Sequence, residues 1–248
     1  RPLPRRGMIV DTFRQPTDLI RTDGFTFVRA PDMRALLEQA GPLTDFSTFA
    51  ASWNDLGPDT YMADGGRYRK RRHAVYAVAA DGIVRQPAQP HYQSRDYNTL
   101  NGGIERWFEP VTEAVGSGPT MTSIVTFCRN LFGMVSPTDT SRGWHVEVHQ
   151  FRIEARRGVE GRPTPEGMHR DGVDYVLVLL VNRVNIASGV TSVHDLAGKE
   201  LGHFTLTEAF DAALVDDARV MHGVTPVEPL DEAEPGFRDV LVVTFRRA

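Results

Sequence analysis

The sequence predicts an α+β protein with a jelly-roll (double-stranded β-helix) core and N-terminal helices packed around it. Three observations carry this. Apolar residues recur at helical spacing in the first half of the chain, and from about residue 143 short β-prone runs take over. Those runs come at fairly regular intervals with Gly, Asp and Pro between them, as in a sandwich or jelly roll. One of them, Asp174 to Val181, is apolar on both faces, which suits a central, buried strand.

The 248 residues suit one domain, with 1–8 as a flexible arm, 9–142 as a helix-rich part and 143–248 as a strand-rich part. A net charge of −4 offers no electrostatic footing for nucleic acid. No apolar run approaches a membrane span, and no hydrophobic stretch follows the basic Arg1–Arg6 as a secretory signal requires. The single cysteine, Cys128, cannot form an internal disulfide, so a cytoplasmic location is expected.

In chain order, Gly24 to Val28 alternates as a short strand. Pro31-Asp32 opens a helix to about Gln39, closed by Gly41-Pro42. Leu43 to Leu56 reads as a second helix, with Phe46, Phe49, Ala50 and Trp53 on one face. Residues 65–73 hold the densest basic cluster, including Arg67, Arg69, Arg71 and Arg72. It reads either as a solvated loop or edge strand, or as a source of arginines that grip a carboxylate in a cleft. Ala74 to Ala79 is strand-like. Glu105 to Val115 reads as a helix with Trp107, Val111 and Ala114 on one side. Thr120 to Val135 is the clearest helix, with Ile124, Phe127, Cys128, Leu131 and Val135 as its stripe. Strands are then expected at 144–155, 174–181, 189–195, 200–207, 212–221 and 238–246.

The chemistry centres on Met168-His169-Arg170-Asp171-Gly172. His169 and Asp171 share one face of an extended segment and can act as two ligands of one metal. His222 is the best third ligand. Two His and one carboxylate leave the opposite side of a metal open, an arrangement that selects non-haem Fe(II) for oxygen chemistry. Arg238, opening an apolar strand, is awkward to bury without an anionic partner, and a dicarboxylate cosubstrate would serve. A competing constellation is His145-x-Glu147-x-His149, whose side chains also share a strand face. Gln150 and Arg152 share the other, as pocket or structural residues. His73, His91, His194 and His203 read as surface or satisfied loop histidines.

The order His169-x-Asp171, Gly189-Val190-Thr191, His222, Arg238 resembles the Fe(II)/2-oxoglutarate-dependent dioxygenases. Within them it is most similar to bacterial free-amino-acid hydroxylases of the L-isoleucine dioxygenase kind. The likeness covers most of the chain, including Tyr68 to Arg72, Gly102-Gly103-Ile104 with Arg106, His149 to Arg152, and Pro165 to Gly172. Ala187-Ser188 departs from the Gly common in the superfamily ahead of Gly189. The resemblance implies that His169, Asp171 and His222 hold Fe(II), that Arg238 pairs with the distal carboxylate of 2-oxoglutarate, and that Thr191 adds a hydroxyl. It further implies O2 as co-reactant, succinate and CO2 as products, and hydroxylation of an unactivated C–H bond of a small molecule, a free L-amino acid above all. Other readings are a non-catalytic jelly roll that binds a metal or small ligand, and a dioxygenase acting on a protein side chain.

A free amino acid needs a cation and an anion or carbonyl to meet it. Candidate substrate residues are Arg69, Arg106, Gln93, Gln150 and Arg152, with Arg67, Arg71, Arg72, Tyr92 and Asn98 behind them. Most lie in the N-terminal half, so the 65–106 segment is expected to cover the barrel mouth.

Overall fold

The computed structural model of the protein describes residues 7–248, with side chains from Gln15 onward. Residues 1–6, and with them most of the expected arm, lie outside the described residues. Helix α1 (Gly7–Asp23) leads into strand β1 (Phe25–Val28). Helix α2 (Ala30–Ala40) carries Pro31 in its first turn, where the fixed φ of proline suits a helix, and stops at Gly41. Helix α3 (Phe46–Ala51) tightens into a 3-10 turn over Ser52–Asp55, shorter than the helix expected over 43–56. The first half adds the longer strands β2 (Arg69–Ala79) and β3 (Gly82–Arg85). Helix α4 (Pro119–Val135) buries the whole stripe that its sequence marks, Cys128 included.

The second half supplies β4 (Trp144–Ala155), β5 (Tyr175–Val184), β6 (Val190–Asp195), β7 (Glu200–Thr205), β8 (Ala212–Asp216), β9 (Val220–Val224) and β10 (Gly236–Arg247). The large sheet runs β1-β8-β5-β10-β4-β2, all antiparallel, with β3 and the two-residue strand Gly57–Pro58 beside β2. The small sheet runs β7-β6-β9. The two enclose the jelly-roll interior.

Period-two alternation divides the large sheet. Outward go Trp144, Val146 and Val148 of β4, Leu177 and Leu179 of β5, and Leu241, Val243 and Phe245 of β10; these pack with α2 and α4 in one continuous core. Truncating a fully buried member such as Phe245 to Ala costs about 3–5 kcal/mol. The alternate residues of the same strands face inward and line a cavity between the sheets. Among the described residues no helix is long and apolar enough to cross a membrane.

Two further expectations change. No helix spans 105–115: Glu105–Arg106 pairs as a short strand with His91–Tyr92, and only Glu113–Gly116 is helical. Pro110 lies where a helix there would need its N–H and its space. The strand expected over 212–221 breaks at a turn over 217–219, so β8 joins the large sheet and β9 the small one. The basic segment continues into β2 as far back as Arg69; Arg69, Arg71 and His73 are buried, which sets aside the solvated one of its two readings.

Candidate active site

His169 and His222 face each other across an isolated antiparallel bridge, the N–H of each donating to the carbonyl of the other at 2.9 Å. Asp171 lies two residues on from His169, with Oδ1 3.4 Å from His169 Nε2 and Oδ2 3.7 Å from His222 Nε2. The three ligand atoms lie within 4.8 Å of one another. His169 Nδ1–H points at the Gly167 carbonyl, 3.0 Å away, which turns Nε2 toward Asp171. Electrostatics in the cluster call for a cation. Burial opposes charging of His169, yet the Asp171 and Glu166 carboxylates outweigh it and hold its imidazole up at about 9. Burial and the neighbouring His169 push His222 down to about 4. Two imidazoles and one carboxylate converging in this way fit a divalent metal with one side left open.

The ligand turn is held by residues that the sequence reading missed. Asp217, fully buried, accepts backbone N–H bonds from Asp171 (2.8 Å), Gly172 (2.8 Å) and Val173 (3.1 Å). Burial and the Asp171 charge push its carboxyl up to about 7. An Asp ahead of a turn looks like ordinary turn chemistry, so only its contacts reveal this role. Gly172 has φ +79°, and a Cβ there would meet the Tyr97 ring at 2.6 Å. Gln93 lines the cavity as expected, but its amide donates to the Asp171 carbonyl (3.1 Å), and Asn98 in turn donates to Gln93 Oε1 (3.1 Å).

Arg238 sits on the inner face of β10, 3% exposed, opposite Arg183 and Ile153. Among the described residues no carboxylate pairs with it, and its Nε has no hydrogen-bond partner. Burial first, then Arg183, push the guanidinium down to about 10. A buried cation in this state needs an anion. Thr191 lines the same cavity from β6, so the Ala187-Ser188 departure leaves its position intact.

The cavity holds about 470 Å³ and takes in His169, Asp171, His222, Thr191 and Arg238. Segments 89–98 and 163–173 cover it, with Arg69, Arg71 and Arg106 on its walls. Gln150 and Arg152 do not reach it. They alternate with His149 and Phe151 and so face the helical layer, where Gln150 Nε2 donates to Ser52 Oγ (2.8 Å) and Arg152 forks onto Asp239 (2.7 and 2.8 Å). Their expected substrate role is corrected on this ground.

His73 and His91 are likewise no surface histidines. Both donate to Glu147, at 2.8 and 2.6 Å, and His145 approaches the same carboxylate at 3.3 Å. The competing set thus becomes His73, His91, Glu147 and His149, also within 4.8 Å. Arg71 Nη2 lies 2.7 Å from His149 Nδ1, and burial, then His91 and Arg71, push the basicity of that ring well below its ordinary value. A guanidinium at a would-be ligand atom disfavours a second cation there.

A family model described as 2OG-Fe dioxygenase matches residues 50–244. The chain is 26% identical over 221 residues to L-isoleucine-4-hydroxylase of Bacillus thuringiensis, covering 88% of this chain and 86% of that protein. The crystal structure of a BsmA homologue from Methylobium petroleophilum superposes with a TM-score of 0.86 at 36% identity, over 95% of this chain and 93% of that one. The structure of IDO from Bacillus thuringiensis shares the fold, with a TM-score of 0.76 at 20% identity over 95% and 99% of the two chains. The chain belongs to the 2OG-Fe dioxygenase family and is an enzyme that works with Fe(II), 2-oxoglutarate and O2.

Proposed function

We propose that this enzyme, acting as a single domain, hydroxylates an unactivated C–H bond of a free L-amino acid, with 2-oxoglutarate converted to succinate and CO2. The observation that carries the reading is one cavity that joins a His-Asp-His triad to Arg238, a buried arginine without an acidic partner among the described residues. His169, Asp171 and His222 hold Fe(II), with Asp171 offsetting part of its charge. Arg238 takes the distal carboxylate of 2-oxoglutarate in a charge-assisted fork, and the Thr191 hydroxyl donates to the same group. Bound iron and 2-oxoglutarate supply the oxidising chemistry. The protein orients both, and Val178, Leu206, Val240 and Val242 line the interior with apolar surface that keeps water away. A free amino acid is favoured by the cavity's small size, its charged walls and the substrate that names the Bacillus relative.

The test measures succinate release across a panel of free L-amino acids with Fe(II), 2-oxoglutarate and ascorbate. At least one amino acid is expected to stimulate turnover well above the rate without it. If none does, the amino-acid reading falls and family membership alone stands.

A further inference from the structure

Four arginines with at most 7% exposure line the cavity: Arg69, Arg71, Arg106 and Arg238. Arg69 is taken up by Asp59, through Nε at 2.8 Å and Nη2 at 2.7 Å. Arg71 shares that carboxylate at 3.5 Å, meets His149, and lies 3.6 and 4.5 Å from the ring centres of Phe108 and Phe151. Arg238 is assigned to the cosubstrate. That leaves Arg106, 2% exposed and without an ion pair among the described residues, its Nε buried with no hydrogen-bond partner. The ladder between His91–Tyr92 and Glu105–Arg106 fixes it over the cavity. Burial, then Arg69, depress its basicity, as for a cation short of an anion.

The same cavity holds two carboxylates outside the triad. Glu147 is saturated by its three histidines. Glu166 is not. Its side chain is 9% exposed and its Oε2 is buried with no partner. Its Oε1 lies 3.6 Å from His169 Nε2, the atom that faces the metal position. Glu166 acts electrostatically on Arg106, yet the two form no ion pair. A buried guanidinium without a carboxylate and a buried carboxylate whose Oε2 has no partner, held apart in one cavity, match a ligand that carries both charges on one small centre.

Resting on the amino-acid reading above, we propose that Arg106 and Glu166 form the zwitterion subsite. Arg106 takes the substrate α-carboxylate through its guanidinium, and the Glu166 carboxylate accepts from the α-ammonium. With both charged groups held, the side-chain carbons are the part left to face the metal.

The test uses the L-amino acid with the highest turnover in the panel, its primary amide and its deaminated acid. In the wild type, kcat/KM for the amino acid exceeds that for either analogue. Arg106→Gln raises KM for the amino acid by roughly 10- to 100-fold, the scale of one lost charge-assisted hydrogen bond, and erases the preference over the amide. Arg106→Lys recovers part of it. Glu166→Gln erases the preference over the deaminated acid and leaves the preference over the amide. A fold or metal defect lowers all three probes in parallel, and a parallel fall overturns the subsite. So does survival of both preferences in the variants. A wild type that accepts no amino acid overturns the proposed function and this subsite with it; a wild type that accepts one, with variants that keep its selectivity, overturns the subsite alone.

Discussion

His169 and His222, far apart in sequence, are tied backbone to backbone by two hydrogen bonds of 2.9 Å, and their imidazole centres lie 4.6 Å apart. The spacing of the two rings is therefore set by main-chain bonds. A substitution at either side chain leaves that frame standing.

It follows that His169→Ala, Asp171→Ala and His222→Ala each reduce succinate formation below roughly a hundredth of wild type, since losing a ligand exceeds the 10- to 100-fold cost of losing an outer-shell partner. Circular dichroism is expected to stay native. A variant that keeps near-wild-type turnover removes that residue from the ligand set.

Asp217 holds the turn rather than the metal. Asp217→Ala leaves three backbone donors of residues 171–173 without their acceptor, so iron affinity falls about 10- to 100-fold. Iron titration with turnover as readout checks this, with activity largely recovered at saturating iron. An unchanged iron midpoint counts against the role.

Arg238→Lys keeps charge but loses the fork, and Arg238→Met loses both. KM for 2-oxoglutarate is expected to rise about tenfold in the first and about 100-fold in the second, the range of one to two charge-assisted hydrogen bonds. If Arg238→Met leaves KM unchanged, the anchoring cation is another one. Arg183 is then the next candidate, because Arg152 is held by Asp239.

The Arg152–Asp239 fork is buried, with side-chain exposures of 11% and 1%. Breaking such a pair by Asp239→Ala leaves a buried cation unmatched and costs about 3–5 kcal/mol. Urea unfolding measures this. KM for 2-oxoglutarate is expected to hold, and a large rise would place Arg152 back among the binding residues.

Acid stability follows from His91. Burial lowers its pKa from 6.5 to about 4, and Arg71 adds to the shift while Glu147 opposes it. The unfolded chain therefore binds more protons than the folded one between those values, so stability is lost as pH falls through that window. The thermal midpoint is expected to drop between pH 7 and pH 5, and to drop less in His91→Asn. Equal slopes in both proteins exclude His91 as the titrating group.

Much of this protein was legible in the chain. The stripe Ile124 to Val135 marked its helix, and the two-sided apolar run from 174 marked the central strand, because burial imposes those periods directly on sequence. The spacing of His169 and Asp171 placed both on one face, and the order of His222 and Arg238 completed the pattern. Alternation also separated Gln150 and Arg152 from His149 and Phe151, but it cannot say which face looks inward. That depended on α2 and α4 covering the side that bears Val146 and Val148. Pairing across the fold decided the rest. Asp59 engages Arg69 and Arg71, Asp217 clamps the ligand turn, and Glu147 gathers three histidines, while among the described residues Arg106 and Arg238 meet no carboxylate and Glu166 Oε2 has no partner. Local sequence specifies periodicity and turn chemistry over a few residues. Whether a buried charge is matched is a property of distant segments meeting, and only the tertiary structure brings them together.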